Sequence, residues 1–167
     1  MALATKPAIV KPAHIIDLGE LTVDYDESIA AKIAGNTDPR CITWNTSWAT
    51  DEKFPDTQTG EIVYAASAWH FGVRMSKDSL KLSVEAEGKI FGTPKPLIDL
   101  AIRNPQPKLD DAMPLVAAGQ EFVDASGNRI ALDLVGDGVS GRRLGRVRLF
   151  PNEQWYGHYL FLVLART

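Results

Sequence analysis

Arginine side chains are concentrated in one short stretch of the 167-residue sequence. Four of them fall within seven residues: Arg142, Arg143, Arg146 and Arg148. Guanidinium groups bind phosphate and carboxylate groups, so this cluster could dock an anionic ligand or an acidic partner. On a strand, alternate side chains point to opposite faces, and the same arginines could instead form a solvated face paired with nearby carboxylates. Both interpretations stay open, and Arg142 and Arg143 are retained as candidate binding residues.

Aromatic side chains near loops and strand ends form the second candidate feature. Trp48 lies in an irregular polar stretch, Trp155 and Tyr156 precede the last apolar run, and His70 lies near the end of a long apolar stretch. Loops carry binding residues more often than their share, and ligand pockets are rich in aromatic side chains. Packing in the core is the alternative for each ring. The predicted ligand-binding surface comprises Trp48, His70, Arg142, Arg143, Trp155 and Tyr156.

The sequence contains no catalytic or metal-binding signature. Its histidines, His14, His70 and His158, lack the spacing of metal ligands, and no reactive-cysteine motif surrounds Cys41. No serine lies in a G-x-S-x-G context. We therefore predict no catalytic residue, no metal and no cofactor. The alternative is a small hydrolase-like enzyme that uses His70 or His158 with an N-terminal carboxylate, which the fold would have to bring together.

One glycine-rich stretch imitates a nucleotide-binding loop. Gly136, Gly138 and Gly141 have the GxGxxG spacing of dinucleotide-binding proteins. That fingerprint requires the loop to open a helix, whose N-terminus then meets the pyrophosphate. The residues that follow, RRLGRVRLF, have the pattern of a strand, so the stretch indicates a glycine-rich hairpin instead.

The composition limits the class of protein. Hydrophobic residues make up 45% and charged residues 23%, which is typical of a globular chain. A formal net charge of −3 gives no indication of a nucleic-acid partner, and the longest apolar run is too short for a membrane helix. A single cysteine and the lack of a secretion signal predict a soluble, cytoplasmic protein.

Hydrophobic periodicity predicts the elements that must position these side chains. The first half contains a strand over residues 15–25, a short helix capped by Asp26, a strand over 61–71 and a short helix over 96–102. Residues 76–88 are ambiguous, because Leu80 and Val84 share a helical face. Four apolar side chains in strict alternation nevertheless favour a strand there.

The second half is predicted to be a C-terminal antiparallel run of about four strands. They cover residues 115–123, 129–135, 142–150 and 159–165, and glycine or asparagine turns separate them. Both faces of the last strand are apolar, which predicts that it is central or covered on both sides.

These elements predict a mainly β fold, namely an antiparallel β-sandwich or barrel-like domain with one or two short helices. A jelly roll is one such arrangement. An α+β fold is the alternative. Residues 1–13 would form a flexible lead-in and residues 14–167 a single β-rich domain. The leading functional hypothesis is a non-enzymatic module that binds a small molecule or a protein. A structural or assembly protein, such as a virion or homo-oligomer subunit, is the second hypothesis, and the hydrolase is the third.

Overall fold

The computed structural model describes residues 6–42, 46–103, 107–136, 141–149 and 154–167. The strands are β1 His14–Asp24, β2 Cys41–Ile42, β3 Glu61–His70, β4 Met75–Ser76, β5 Ile90–Phe91, β6 Leu115–Val123, β7 Arg129–Gly136, β8 Arg142–Arg148, β9 Gln154–Trp155 and β10 Leu160–Arg166. The helices are α1 Ile29–Ala34, α2 Lys77–Glu85, α3 Pro94–Ile102 and a 3-10 helix, Pro107–Ala112. None of the helices in these ranges is long and apolar enough to cross a membrane.

Most strands belong to one eight-stranded mixed sheet with the order β1-β3-β10-β6-β7-β8-β2, in which β5 also pairs with β10. Strands β4 and β9 form a separate two-stranded sheet. The mainly β prediction is confirmed. The large sheet does not close on itself, so a barrel is not the form adopted, and the described residues contain three α-helices rather than one or two.

Helices cover both faces of the large sheet. Helix α3 packs against β1, β6 and β7 and also contacts α1, whereas α2 contributes Leu80 and Val84 to the core on the opposite face. Alternate side chains of β10 enter the two cores: Leu160, Leu162 and Leu164 face α3, and Phe161 and Val163 face α2. The prediction that the last strand is central and covered on both sides is therefore confirmed.

The prediction of a strand over residues 76–88 is wrong, because α2 occupies most of this segment. Ser76 caps the helix, and its Oγ accepts a hydrogen bond from the Ser79 amide at 3.1 Å. Leu80 and Val84 are buried one turn apart, whereas Leu82 is 38% exposed. Leu80 and Val84 pack against an apolar face of the sheet when the segment is helical. This long-range packing outweighs the local alternation of apolar and polar residues.

Two further expectations are corrected. Helix α1 begins at Ile29 with Ser28 as its N-cap, while the Asp26 carboxylate accepts a hydrogen bond from the Gly60 amide instead. The C-terminal strands are not one antiparallel run. Strands β6, β7 and β8 are antiparallel neighbours, but β10 leaves them and lies between β3, to which it is antiparallel, and β6, to which it is parallel.

The partner of one edge of β10 changes part-way along the strand. Strand β6 pairs with Leu160 and Phe161, and β5 then takes over at Val163 and Leu164. At the changeover, the Gly119 amide of β6 donates to the Gly92 carbonyl at 3.0 Å. A Cβ on Gly119 would lie 2.9 Å from the Phe91 carbonyl oxygen, so only glycine allows this approach. The insertion of β5 thus separates β6 from β10 and opens space on both faces.

The N-terminal segment lies along α2. The backbone amides of Ala8 and Val10 donate to the Oγ atoms of Ser79 and Ser83 at 3.1 and 2.9 Å, and Val10 packs against the core on that face. Residues 1–5 lie outside the described ranges. The flexibility expected of residues 1–13 stays a prediction.

Candidate functional site

The structure distributes the six predicted binding residues over both faces of the sheet. Arg142 is only 2% exposed and lies on the α3 face. Its Nε and Nη2 atoms donate to the Ala101 carbonyl at 3.1 and 3.0 Å, and Nη2 also donates to the Asp38 carboxylate at 2.8 Å. Arg143 is exposed and points to the opposite face, as strand alternation expects. Arg142 therefore ties β8 to α3 and to the segment before β2.

Trp48 packs in an aromatic cluster on the α3 face. Its ring centroid lies 6.2 Å from that of Phe54 and 6.0 Å from that of Phe122. The guanidinium of Arg146 lies 6.0 Å from the Trp48 ring centroid, a distance at which a cation is attracted to the aromatic face. Trp48 is partly buried, so packing accounts for most of its surroundings.

His70 and Tyr156 lie on other parts of the molecule. His70 ends β3, where it is paired in register with His14 and Leu160. Tyr156 follows β9, and its ring stacks on that of His158 at an interplanar angle of 20°. The Arg74 guanidinium lies 4.8 Å from the Tyr156 ring centroid. In the described ranges, no hydrogen bond or ion pair joins a histidine to a carboxylate, and no group of three or more His, Cys, Asp or Glu could hold a metal ion.

Trp155 lines a cavity on the α2 face and is 4% exposed. Its ring contacts those of Tyr159 and Phe161 edge to face, at centroid distances of 5.5 and 5.4 Å. We call this space of about 300 Å³ between α2, β5 and β6 the α2 cavity. Its apolar lining consists of Leu80, Val84, Ile90, Phe91, Ala118 and Trp155, together with Gly119. Its charged lining consists of Lys77, Lys81, Glu85, Lys89 and Glu121.

Ion pairs neutralise most of the charged groups around the α2 cavity. The Glu121 carboxylate lies 2.5 Å from the Lys77 ammonium and 2.9 Å from an Arg129 guanidinium nitrogen. Lys81 and Glu85 are 3.8 Å apart across one helical turn. The Lys89 ammonium lies 5.3 Å from the Trp69 ring centroid, and the described residues supply no carboxylate ion pair for it. The cavity therefore combines an apolar floor with an excess of positive charge.

A second cavity of about 230 Å³ lies on the α3 face, behind the same β5 insertion. We call it the tyrosine cavity, because the hydroxyl groups of Tyr25 and Tyr64 meet in its wall at 2.9 Å. Burial, together with the hydrogen bond to Tyr64, raises the pKa of the Tyr25 hydroxyl, which is therefore neutral at ordinary pH. Asp56, Thr93 and Gln120 supply further polar atoms to the lining.

Neither cavity has a signal in the sequence. The residues of the α2 cavity come from α2, the turn that follows it, β5, β6 and β9, and those of the tyrosine cavity from segments as distant as Tyr25 and Leu164. Only Trp155 of the six predicted residues lines one of them. The two-residue strand β5, whose insertion creates both spaces, is too short to give a periodicity.

Asp133 is a buried carboxyl group on β7, on the α2 face. Gly145 of the neighbouring strand makes room for it, because a Cβ there would lie 3.0 Å from Asp133 Oδ1. Burial raises the pKa of Asp133 from 3.8 to about 6, although the positive charge of Arg143 acts in the opposite direction. The folded protein therefore binds this proton more tightly than the unfolded chain does.

We expect Asp133→Asn to stabilise the protein at pH 7.5 but not at pH 4. The pKa of Asp133 is higher in the folded protein than in the unfolded chain, so ionisation of this carboxyl lowers the free energy of unfolding as the pH rises from about 4 through about 6. Asparagine does not ionise and therefore avoids this loss. At pH 7.5 the free energy of unfolding of Asp133→Asn should exceed that of the wild type by about 2–3 kcal/mol, as measured by urea denaturation at both pH values. An equal effect of the substitution at both pH values would contradict a raised pKa.

No protein-family model matches the chain. No curated protein and no solved structure shows significant similarity to it either.

Proposed function

We propose that the protein is a non-enzymatic binding module whose α2 cavity takes a small ligand with an apolar body and one anionic group. The observation that carries this proposal is that Lys89, which has no carboxylate ion pair among the described residues, lines the same cavity as the apolar side chains of Leu80, Val84, Phe91 and Trp155. Ligand pockets are mostly apolar with a few polar groups that fix the orientation of the ligand, and the α2 cavity has this composition.

The size of the cavity restricts the ligand. A volume of about 300 Å³ lies at the lower end of the range of about 300–1,000 Å³ that small-molecule sites occupy. One or two fused or linked rings, or a short aliphatic chain, would fill the apolar part. The anionic group, a carboxylate or a sulfonate, would then lie at the rim near Lys89, where opposite charges attract.

The charge pattern of the rim supports an anion rather than a cation. Glu121 is already paired with both Lys77 and Arg129, and Glu85 lies near Lys81, so neither carboxylate needs a cationic ligand. A ligand ammonium would have to compete with these lysines. The net positive charge of the lining disfavours that exchange.

The test uses the fluorescent probe 1-anilinonaphthalene-8-sulfonate and its uncharged counterpart N-phenyl-1-naphthylamine, which share an apolar body. We expect saturable binding of the sulfonate, measured by its fluorescence with the folded protein. Lys89→Glu should weaken this binding on the order of tenfold, because it reverses the charge near the anion. The same substitution should leave the affinity for the uncharged probe nearly unchanged.

Matched controls separate the cavity from non-specific binding. Ala118→Phe fills the cavity and should abolish binding of both probes, whereas Ala125→Phe places the same side chain in an exposed turn and should change neither affinity. Lys108→Glu makes the same charge reversal at an exposed site outside the cavity lining, far from the ligand, and should leave sulfonate binding unchanged. Unchanged sulfonate binding in both Lys89→Glu and Ala118→Phe would refute the proposal.

The assembly subunit and the hydrolase stay alternative predictions. Size-exclusion chromatography with light scattering separates the first from a binding module, because a structural subunit forms a stable large oligomer.

A further inference from the structure

Residues in the wall of the tyrosine cavity carry oxygen atoms that could accept more hydrogen bonds than the described residues donate to them. The Gln120 side-chain amide donates through Nε2 to the Pro55 carbonyl, which fixes the orientation of the amide. Its Oε1 atom is buried and has no hydrogen-bond partner among the described residues. Buried polar atoms are nearly always paired, so this acceptor, in a residue that lines the cavity, has capacity for one donor.

Asp56 supplies a negative charge to the same cavity. Its Oδ1 accepts a hydrogen bond from the Gln58 amide at 2.9 Å, and its Oδ2 accepts only a long bond of 3.4 Å from Thr93 Oγ1. No ion pair of Asp56 is found in the part of the chain that the structure describes. An ionised carboxylate has about four lone-pair sites, so Asp56 retains capacity to accept further hydrogen bonds.

The cations near this cavity are engaged elsewhere. No lysine or arginine is among the described residues that line it. At the rim, Arg166 donates to Gln58 Oε1 at 2.9 Å. The buried Lys95 ammonium donates to the Tyr25 carbonyl at 2.6 Å and lies 3.6 Å from Asp51. The acceptors of Asp56 and Gln120 are thus left to a group from outside.

The remaining walls suit a cation as well. The aromatic residues Tyr25 and Tyr64 line the cavity. The faces of such rings carry partial negative charge and attract ammonium groups. The two tyrosine hydroxyls are hydrogen-bonded to each other, and their oxygens keep lone pairs that can accept one more hydrogen bond.

We infer that the tyrosine cavity is a second binding site, which takes the primary ammonium group of a small amine. An ammonium offers three hydrogen-bond donors and one positive charge. Those donors match the Asp56 carboxylate and a tyrosine oxygen; the buried Gln120 Oε1 becomes a further acceptor when its side chain turns toward the ligand. The inference does not depend on the anion proposed for the α2 cavity, because the two sites lie on opposite faces of the sheet and differ in charge.

Benzylamine, which joins one ring to a primary ammonium, is the probe, and benzyl alcohol is its uncharged counterpart. We expect isothermal titration calorimetry to show saturable binding of benzylamine at pH 7 and at least tenfold weaker binding of benzyl alcohol. Asp56→Asn should weaken benzylamine binding on the order of tenfold and leave benzyl alcohol unaffected, because it removes the charge and keeps the shape.

Asp111→Asn is the control, since it removes one exposed carboxylate from a position outside the cavity lining. Binding of the anilinonaphthalene sulfonate serves as the check of folding and of the α2 cavity, and it should be the same in Asp56→Asn as in the wild type. Absence of saturable benzylamine binding to the wild type would overturn the inference. Equal benzylamine affinity in wild type, Asp56→Asn and Asp111→Asn would overturn it too, and neither result bears on the α2 cavity.

Discussion

Replacement of Arg142 by alanine is expected to lower the free energy of unfolding by about 3–5 kcal/mol, because removal of one partner from a buried ion pair leaves the other groups unsatisfied. The guanidinium holds the Ala101 carbonyl at the end of α3 and the Asp38 carboxylate before β2. Without it, both acceptors lose charge-assisted hydrogen bonds, and the large side chain leaves a void.

The neighbouring arginine provides the matched comparison for this substitution. Arg143 is exposed on the opposite face of β8, and at pH 4, where Asp133 is protonated, Arg143→Ala should change stability by less than about 0.5 kcal/mol. Urea denaturation of the two variants, followed by circular dichroism, measures the difference. If Arg142→Ala cost no more than Arg143→Ala, the guanidinium of Arg142 would be free in solution and available to a ligand.

Replacement of Lys32 by methionine should cost about 3 kcal/mol or more, because it leaves a carboxylate buried without its cation. Lys32 and Asp99 are each 1% exposed, and their charged groups are 2.7 Å apart. Asp99 Oδ1 has no hydrogen-bond partner among the described residues; Arg103 Nη1 lies 3.5 Å from it. Arg103 itself is held by Glu27 at 2.5 Å, so it cannot replace Lys32 without loss.

The double variant Lys32→Met/Asp99→Leu should be more stable than Lys32→Met alone. It removes both charges, and a well-packed apolar pair of similar volume is often neutral relative to a buried ion pair. A double-mutant cycle by urea denaturation gives the coupling energy. If the two single losses simply added in the double variant, the ion pair would contribute nothing as a pair.

The pH dependence gives a second readout of this ion pair. Burial raises the pKa of Asp99, and the hydrogen bond and charge of Lys32 oppose that rise. Without Lys32 the pKa must rise further, so the variant loses stability relative to the wild type as the pH increases. The difference between Lys32→Met and the wild type should therefore shrink as the pH falls and Asp99 becomes protonated.

The sequence predicts the secondary structure and burial of residues whose pattern is complete within one strand. It does not predict those of residues whose environment is formed by distant segments. The strand pattern of β3, β6 and β7 and the two apolar faces of β10 follow from the alternation of residues along each strand. Residues 77–85 alternate as well, yet they form α2, because the apolar face that buries Leu80 and Val84 belongs to strands far away in the chain.

The candidate site follows the same division. The type of Trp155 and its place beside a loop predict a binding residue; the structure puts Trp155 in the wall of the α2 cavity, and its role in binding stays a prediction. Arg142 has the same sequence signature as Arg143, yet only Arg142 meets a helix end and a carboxylate. Lys89, Asp56 and Gln120 give no signal of their own. Their roles arise where β5 enters the sheet, and that insertion is a property of the whole fold.

The position of β10 also determines when the sheet can be completed during synthesis. This strand is translated after β3 and β6, and of the described strands it alone joins the β1-β3 half to the β6-β7-β8-β2 half of the sheet. A ribosome-bound chain that stops before residue 160 therefore carries two half-sheets, each with an open edge that can pair with another chain. The centre of the sheet therefore forms late and through non-local contacts, which slows folding and leaves strand edges open to aggregation until β10 is in place.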